Sequence, residues 1–343
     1  MTYGLQYFDK CQVSNVEGTA GNAEAAVEIF TGRIAAKPWD YAVKQDHHYD
    51  AGALIQRSAA PTVVRHLAQF NYANDLDDRE IAWLVASALC EESIAGQVWS
   101  FLPTWEDTGN APGDTAGIRT FTWEMGNVQA QGEVEYCFVQ RLEIAGTAGE
   151  LCTVSADIVG RRFLTSGSFT DLSATGIVNR EYFPFELAKF YITNFDTDWA
   201  TTFGTPTQVY NVESFSFVWE SGFMPHFPGD GTAYFYNVTE NPSLKKATLT
   251  LEQTQSSASP AFATELAAAL AGTSRYVTVE LIGTGGTREV QIQMAGTYMD
   301  FPEGERDGLA TFNTVLENVG YGVGAATVDT LDIIINSSLT AFP

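Results

Sequence analysis

Positive charge is what this sequence has least of. Lys and Arg together number 18 in 343 residues, against 42 Asp and Glu, for a formal net charge of −24. Charged residues are 17% of the chain, below the common level of about a quarter, and the deficit falls on the cations. Ordinary nucleic-acid binding needs Lys and Arg to neutralise phosphates, so that class is excluded. Attraction to an anionic membrane surface is excluded for the same reason. Cysteine is scarce as well. Cys11, Cys90, Cys137 and Cys152 show no C-x-x-C spacing, which fits reduced thiols and synthesis in a cytosol. The longest apolar run, near Ile81 to Cys90, falls far short of a membrane span. Met1 to Lys10 has no basic stretch leading into an apolar one, so no signal peptide is expected.

What is present argues for a folded protein. Hydrophobic residues are 45% and aromatics 13% of the chain, too many for disorder, and the length suggests about two domains. Residues 1 to about 45 are rich in Gly and Ala, with little periodicity beyond Val27–Phe30. They read as an N-terminal arm whose order depends on a partner. Asp77, Asp78 and Glu80 then place acids at a helix start. Ile81, Leu84, Val85, Ala88 and Leu89 follow on one face, predicting an amphipathic helix over 77–90. A loop is expected from Pro103 to Gly117.

Most of the rest reads as β. Thr120–Glu124 suits a strand, and Tyr136–Ile144 and Leu151–Val159 flank a turn at Gly146–Gly149, a hairpin pattern. Cys152, Val154, Ala156 and Ile158 share one face of the second hairpin strand. Further strands are expected at Val212–Trp219, Thr248–Glu252, Val277–Leu281, Val290–Met294 and Leu331–Asn336. A helix after Pro260 carries Phe262, Leu266, Ala269 and Leu270 on one face and ends at Gly272. Leu309–Val319 fits helix or strand. Phe121-Thr-Trp-Glu-Met-Gly126 is echoed by Phe217-Val-Trp-Glu-Ser-Gly222, 96 residues on, which makes an internal duplication plausible.

Residues that could carry chemistry are few. His47-His48 are neighbours that point to opposite faces if extended, so they cannot share one metal. His66 and His226 are isolated. Asn194-Phe-Asp196-Thr-Asp198 imitates a calcium loop but has Trp199 and Thr205 where Gly and Glu are needed. Asp75, Asp77, Asp78 and Glu80 are explained more simply by helix capping. Gly320-Tyr-Gly-Val-Gly324 lacks the Lys and spacing of a phosphate loop, and no G-x-S-x-G is present. Glu91-Glu92 are adjacent, whereas a glycosidase pair must converge across a cleft. Centring the hairpin turn between Thr147 and Ala148 pairs Cys137 with Ile158 and Cys152 with Glu143, so no disulfide joins them. The expectation is no catalytic residue, no cofactor and no metal: not an enzyme.

The order of segments resembles the bacteriophage tail tube protein family. The residues that carry the likeness in the first half are His66–Phe70, Asp77–Leu89, Pro103–Pro112, Phe121-Thr-Trp-Glu124 and Val139–Gly160. In the second half they are Phe190–Ile192, Phe203–Thr205, Val212–Trp219, Gly222–Pro225, Arg275–Ile282, Asp307-Gly308 and Leu331–Asn336. The resemblance spans roughly residues 60–340. It implies a mainly β fold of two tandem tail-tube β-sandwich domains, each with one packed α-helix: an arm at 1–45, a first domain at 46–180 and a second at 181–343. It further implies a virion protein, made in the host cytoplasm, whose rings stack into a hollow tail tube that conducts DNA during ejection. Its partners would be other copies of itself in homotrimeric rings, a tape measure protein, and tail tip and terminator proteins. Double-stranded DNA would pass without specific binding, and no membrane is involved. A cation-poor wall lets a polyanion slide, which agrees with the composition. A rival reading is a soluble carbohydrate-binding β-sandwich module or another virion surface protein, using Trp39, Trp105 and Trp199 as a stacking platform.

Overall fold

Alternating apolar residues become antiparallel strands nearly everywhere in the computed structural model, which is mainly β with two α-helices. The structure describes residues 7–8, 10–19, 21–35, 39–44, 47–48, 57–58, 62–103, 118–126, 131–164, 170, 172, 180–194, 207–227, 234–235, 237–241, 244–255, 262–306, 309–318 and 331–339. The chain opens with β1 (Tyr7–Phe8), β2 (Lys10–Val16), β3 (Ala26–Phe30), β4 (Arg33–Ala35), β5 (Trp39–Lys44), β6 (His47–His48), β7 (Arg57–Ser58) and β8 (Thr62–Asp75). Helix α1 (Glu80–Leu89) leads to β9 (Cys90–Ala95), β10 (Val98–Pro103), β11 (Phe121–Gly126), β12 (Gln131–Thr147), β13 (Thr153–Gly160) and β14 (Arg162–Leu164). Then come β15 (Lys189–Asn194), β16 (Thr207–Val209), β17 (Val212–Glu220), β18 (Phe223–His226), β19 (Asn237–Glu240) and β20 (Lys246–Thr254). After α2 (Phe262–Leu270) follow β21 (Ser274–Ile282), β22 (Glu289–Asp300), β23 (Glu303–Arg306), β24 (Leu309–Asn318) and β25 (Leu331–Asn336).

Strand β12 organises the fold. Its first half pairs with β11 and β14, and its second half with β13 and β17. From there the ladder runs through β13 to β8 on one side. On the other it runs through β17, β20 and β24 to β22. Strands β22 and β25 bring the chain back to β10. Ladders therefore cross residue 180 twice, at β12–β17 and at β10–β25, and one apolar core extends from Cys11 to Leu339.

Helix α1 lies inside this framework, with all ten of its residues buried. A helix that is apolar all round has to be a core element. It begins three residues later than the sequence pattern predicts because Asp77 is its cap: Oδ1 accepts the amides of Arg79 and Glu80, both at 2.9 Å. Side-chain hydrogen bonds tie α1 to its surroundings. The Trp83 indole donates to the Ser14 carbonyl (3.1 Å), the Ser87 hydroxyl to that of Arg119 (3.1 Å), and the Trp219 indole to that of Ala88 (2.9 Å).

Several expectations need correction. The segment at 1–45 is not a loose arm throughout, since β2 is the middle strand between β3 and β11. Cys11, Gln12, Val13 and Ser14 are all buried, and a strand covered on both faces shows no alternation to read. The hairpin turn sits later than expected. Gly149 takes the left-handed conformation (φ 87), and a bulge between Val139 and Arg141 shifts the register again. Val139, not Cys137, therefore faces Ile158; Cys11, Cys137 and Cys152 are nonetheless buried free thiols. Leu309–Asn318 is a strand. Helix α2 forms where expected and ends in a left-handed Gly272 (φ 64), with the Thr273 amide bonded to the Ala268 carbonyl (3.0 Å). Its inner face differs: Glu265 and Ala268 are buried, and Leu270 is 81% exposed.

Candidate functional site

The polar interior centres on the start of α1. Its sequence, Leu76-Asp-Asp-Arg-Glu80, puts one cap residue and three further charges within a single turn, and β3 and the segment at 180–182 close over them. Arg180 Nη1 contacts Asp77 Oδ2 at 2.9 Å and Glu80 Oε1 at 2.7 Å, while Nη2 contacts Glu28 Oε1 at 3.1 Å. Arg79 grips Glu28 with two bonds, at 3.0 and 2.5 Å. The side chains of Asp77 and Glu80 are 0% exposed and that of Arg180 is 3% exposed. Glu80 also accepts from Thr31 N (2.6 Å), Asn74 Nδ2 (3.0 Å) and the Tyr72 hydroxyl.

Burial pushes the Asp77 carboxyl up to about 7, with the Glu80 charge adding to the rise and Arg180 opposing it. For Arg180, burial favours the neutral form, but Asp77, Glu80 and Glu28 outweigh it and hold the guanidinium above its ordinary value. Beside this cluster, Asp78 accepts the amides of Glu181 (3.1 Å) and Ser338 (2.8 Å). The Glu181 carboxylate in turn accepts from Gly285 N (3.0 Å) and the Thr287 hydroxyl (2.8 Å). A Cβ on Gly285 would lie 2.7 Å from Glu181 Oε1, so a side chain there would displace that carboxylate.

Two more buried acids knit β2 into its sheet. Glu17 accepts from Gly21 N, Tyr136 N and the hydroxyls of Thr120 and Thr122, all within 2.7–2.9 Å. Burial raises its carboxyl above the ordinary value, and those four bonds offset only part of the rise. Glu124 accepts from Gln12, Ala26 and Thr170. The outer edge of β3 is thereby closed by side chains. Glu124 takes the Ala26 amide, Arg180 donates to the Ile29 carbonyl, and Glu80 takes the Thr31 amide. Side chains that occupy edge groups blunt an edge against pairing with another strand.

Several cations outside this cluster are paired with carboxylates. Arg161 and Arg162 share Glu135 at 3.7 and 3.0 Å, and both lie against the Tyr234 ring. Arg141 pairs with Glu143, Lys246 with Glu317 and Arg306 with Glu252.

Of the residues weighed from sequence, only Asp77, Asp78 and Glu80 enter a built cluster, where Asp77 does cap the helix. His47 and His48 form β6, paired with β7. Glu91 and Glu92 are consecutive in β9 and pair with Leu102 and Phe101. Residues 195–205 of the calcium-loop imitation, Gly320–Gly324, the loop at 104–117, Trp105 and Trp199 lie outside the described residues. Sequence reasoning missed Arg180, Glu28 and Glu17, because a charge in a weakly patterned segment carries no local sign that it is buried. Among the described residues, no group of three or more His, Cys, Asp or Glu could hold a metal ion, and no helix is long and apolar enough to cross a membrane. No protein-family model matches the chain, and no curated protein matches it either.

Proposed function

We propose that the protein is a structural subunit that polymerises into stacked rings, forming the hollow tail tube through which phage DNA leaves the capsid. The observation that carries this reading is the scarcity of cations, together with the pairing of several of them at the surface. Lys and Arg number 18 against 42 acids, and the surface pairs Arg161/Arg162–Glu135, Arg141–Glu143 and Lys246–Glu317 each answer a cation with a carboxylate. A conduit poor in positive charge gives phosphates little to grip. The mainly β fold with one helix in each half agrees with the family the sequence resembles. In this reading each half fills one of six positions in a ring, so three chains close it by head-to-tail contacts, and identical rings stack without closure. The subunit carries no catalytic site. It meets a tape measure protein within the tube and tip and terminator proteins at its ends, and it resides in the virion tail.

Electron microscopy of the purified protein at high concentration tests this. Hollow filaments with threefold rings are expected. Discrete monomers at every concentration, or rings of six chains, would overturn the reading.

A further inference from the structure

The Arg180 cluster does not balance its charge. Three carboxylates, those of Glu28, Asp77 and Glu80, lie within 3.1 Å of one guanidinium, and the second cation among the described residues of the cluster, Arg79, is committed to Glu28. Fully ionised, the five groups sum to −3 + 2 = −1, in a site from which water is nearly excluded. An unanswered buried charge is costly, and the ordinary remedy is to bind a proton.

The groups facing the site come from every element packed around it. They are Cys11 from β2, Glu28 from β3, Tyr72 and Asn74 from β8, Arg79 and Glu80 at the start of α1, and Arg180 from the segment before Tyr182. Burial raises Cys11 and Tyr72 well above their ordinary values, and both are neutral near pH 7. Glu80 accepts from Thr31, Asn74 and Tyr72, and Glu28 meets two guanidiniums. Asp77 has only Arg180 on Oδ2, and its Oδ1 can keep the two cap amides whether or not Oδ2 carries a proton.

We infer that the Arg180 cluster is a proton-linked latch: it gains one proton as pH falls through neutrality, and that proton tightens the hold on β3 and on the segment around residue 180. Above neutrality the three like charges repel across Arg180. The bonds that fasten the end of β3, from Thr31 to Glu80 and from Arg180 to the Ile29 carbonyl, are then the first to open.

The test compares the full chain with Asp77→Asn, which keeps the cap oxygen but cannot ionise. The folding equilibrium constant is measured by urea titration from about pH 5 to pH 9. Across the titration window the natural chain should lose up to about tenfold per pH unit relative to Asp77→Asn, the signature of one proton. Amide exchange at Thr31 and Gly32 should accelerate in the natural chain over the same window, relative to the variant. Parallel curves for the two proteins, or a constant exchange ratio, would overturn the inference. Should Asp77→Asn fail to fold, Glu28→Gln decides. Removing one of the three charges should move the window down by about one pH unit, and an unmoved window sinks the latch.

Discussion

Trp123 and Trp219 occupy matching places in the repeated F-x-W-E-x-G pattern, yet both stand along the same edge of one strand. Trp123 lies opposite Val134 and Trp219 opposite Leu142, the two halves of β12. Strands β13 and β14 hold the other edge, so the repeats are consecutive neighbours on β12 rather than counterparts in two separate sheets. Their surroundings differ. Trp123 sits among Phe30, Phe70 and Tyr72, with ring centroids 5.0, 5.5 and 5.6 Å away, whereas Trp219 bonds the last turn of α1.

Trp219→Phe should therefore cost more than lost packing, since the buried Ala88 carbonyl loses its indole donor. A buried acceptor left alone costs about 1–3 kcal/mol. Trp123→Ala should cost about 3–5 kcal/mol through the cavity it opens among the three rings. Urea unfolding of both variants checks these values. A Trp219→Phe midpoint equal to that of the natural chain would show the indole bond to be immaterial.

Arg180→Met should be among the most damaging single changes in the molecule. It strands Asp77, Glu80 and Glu28 without their shared guanidinium, and breaking a buried pair on one side costs about 3–5 kcal/mol. Because burial raises the Asp77 carboxyl to about 7, the folded chain binds that proton more tightly than the unfolded chain. Its contribution is present in full at acid pH and is lost as pH rises from the ordinary aspartate value through about 7. The penalty of Arg180→Met should accordingly be greater at pH 8.5 than at pH 5.5. An equal or smaller penalty at the higher pH contradicts this account.

Glu17→Gln looks conservative and should not behave so. Four donors converge on its two oxygens, and the amide NH₂ of Gln can accept from none of those it replaces. Two buried donors lose their acceptor, at about 1–3 kcal/mol each, so a loss of at least about 2 kcal/mol is expected by thermal or urea unfolding. A loss under half of that would mean the hydroxyls of Thr120 and Thr122 simply turn elsewhere.

Free subunits should not retain duplex DNA in a low-salt gel shift, because Arg161 and Arg162 are already committed to Glu135. Glu135→Gln removes that carboxylate and should create weak, salt-sensitive retention, since two adjacent guanidiniums then become available to phosphates. Strong retention by the natural chain would contradict the proposed conduit.

Much of the architecture was legible in local pattern. Leu331–Asn336 alternates and is a strand over those residues, and Asp77 is recognisable as a cap because Asp just before an apolar helical run has few other uses. What escaped depends on distant partners. Gln12 and Ser14 are buried beside Cys11 and Val13 because sheet neighbours cover both faces of β2. Glu28 turns inward only because Arg79 and Arg180 wait there. In α2 Leu270, the last residue of the expected apolar stripe, is exposed, while Glu265 is drawn in by Arg275 at 3.2 Å and by the Tyr298 hydroxyl. The echo of Trp123 in Trp219 was visible as a repeat, but its place on one edge became apparent only once the strands were paired.

The position of β12 has a mechanical consequence. Antiparallel hydrogen bonds lie across the strand direction, so tension applied along β12 loads its bonds to β11, β14, β13 and β17 in shear, to be ruptured together rather than unzipped one by one. Because β12 pairs with strands of both halves, such a load is shared between them.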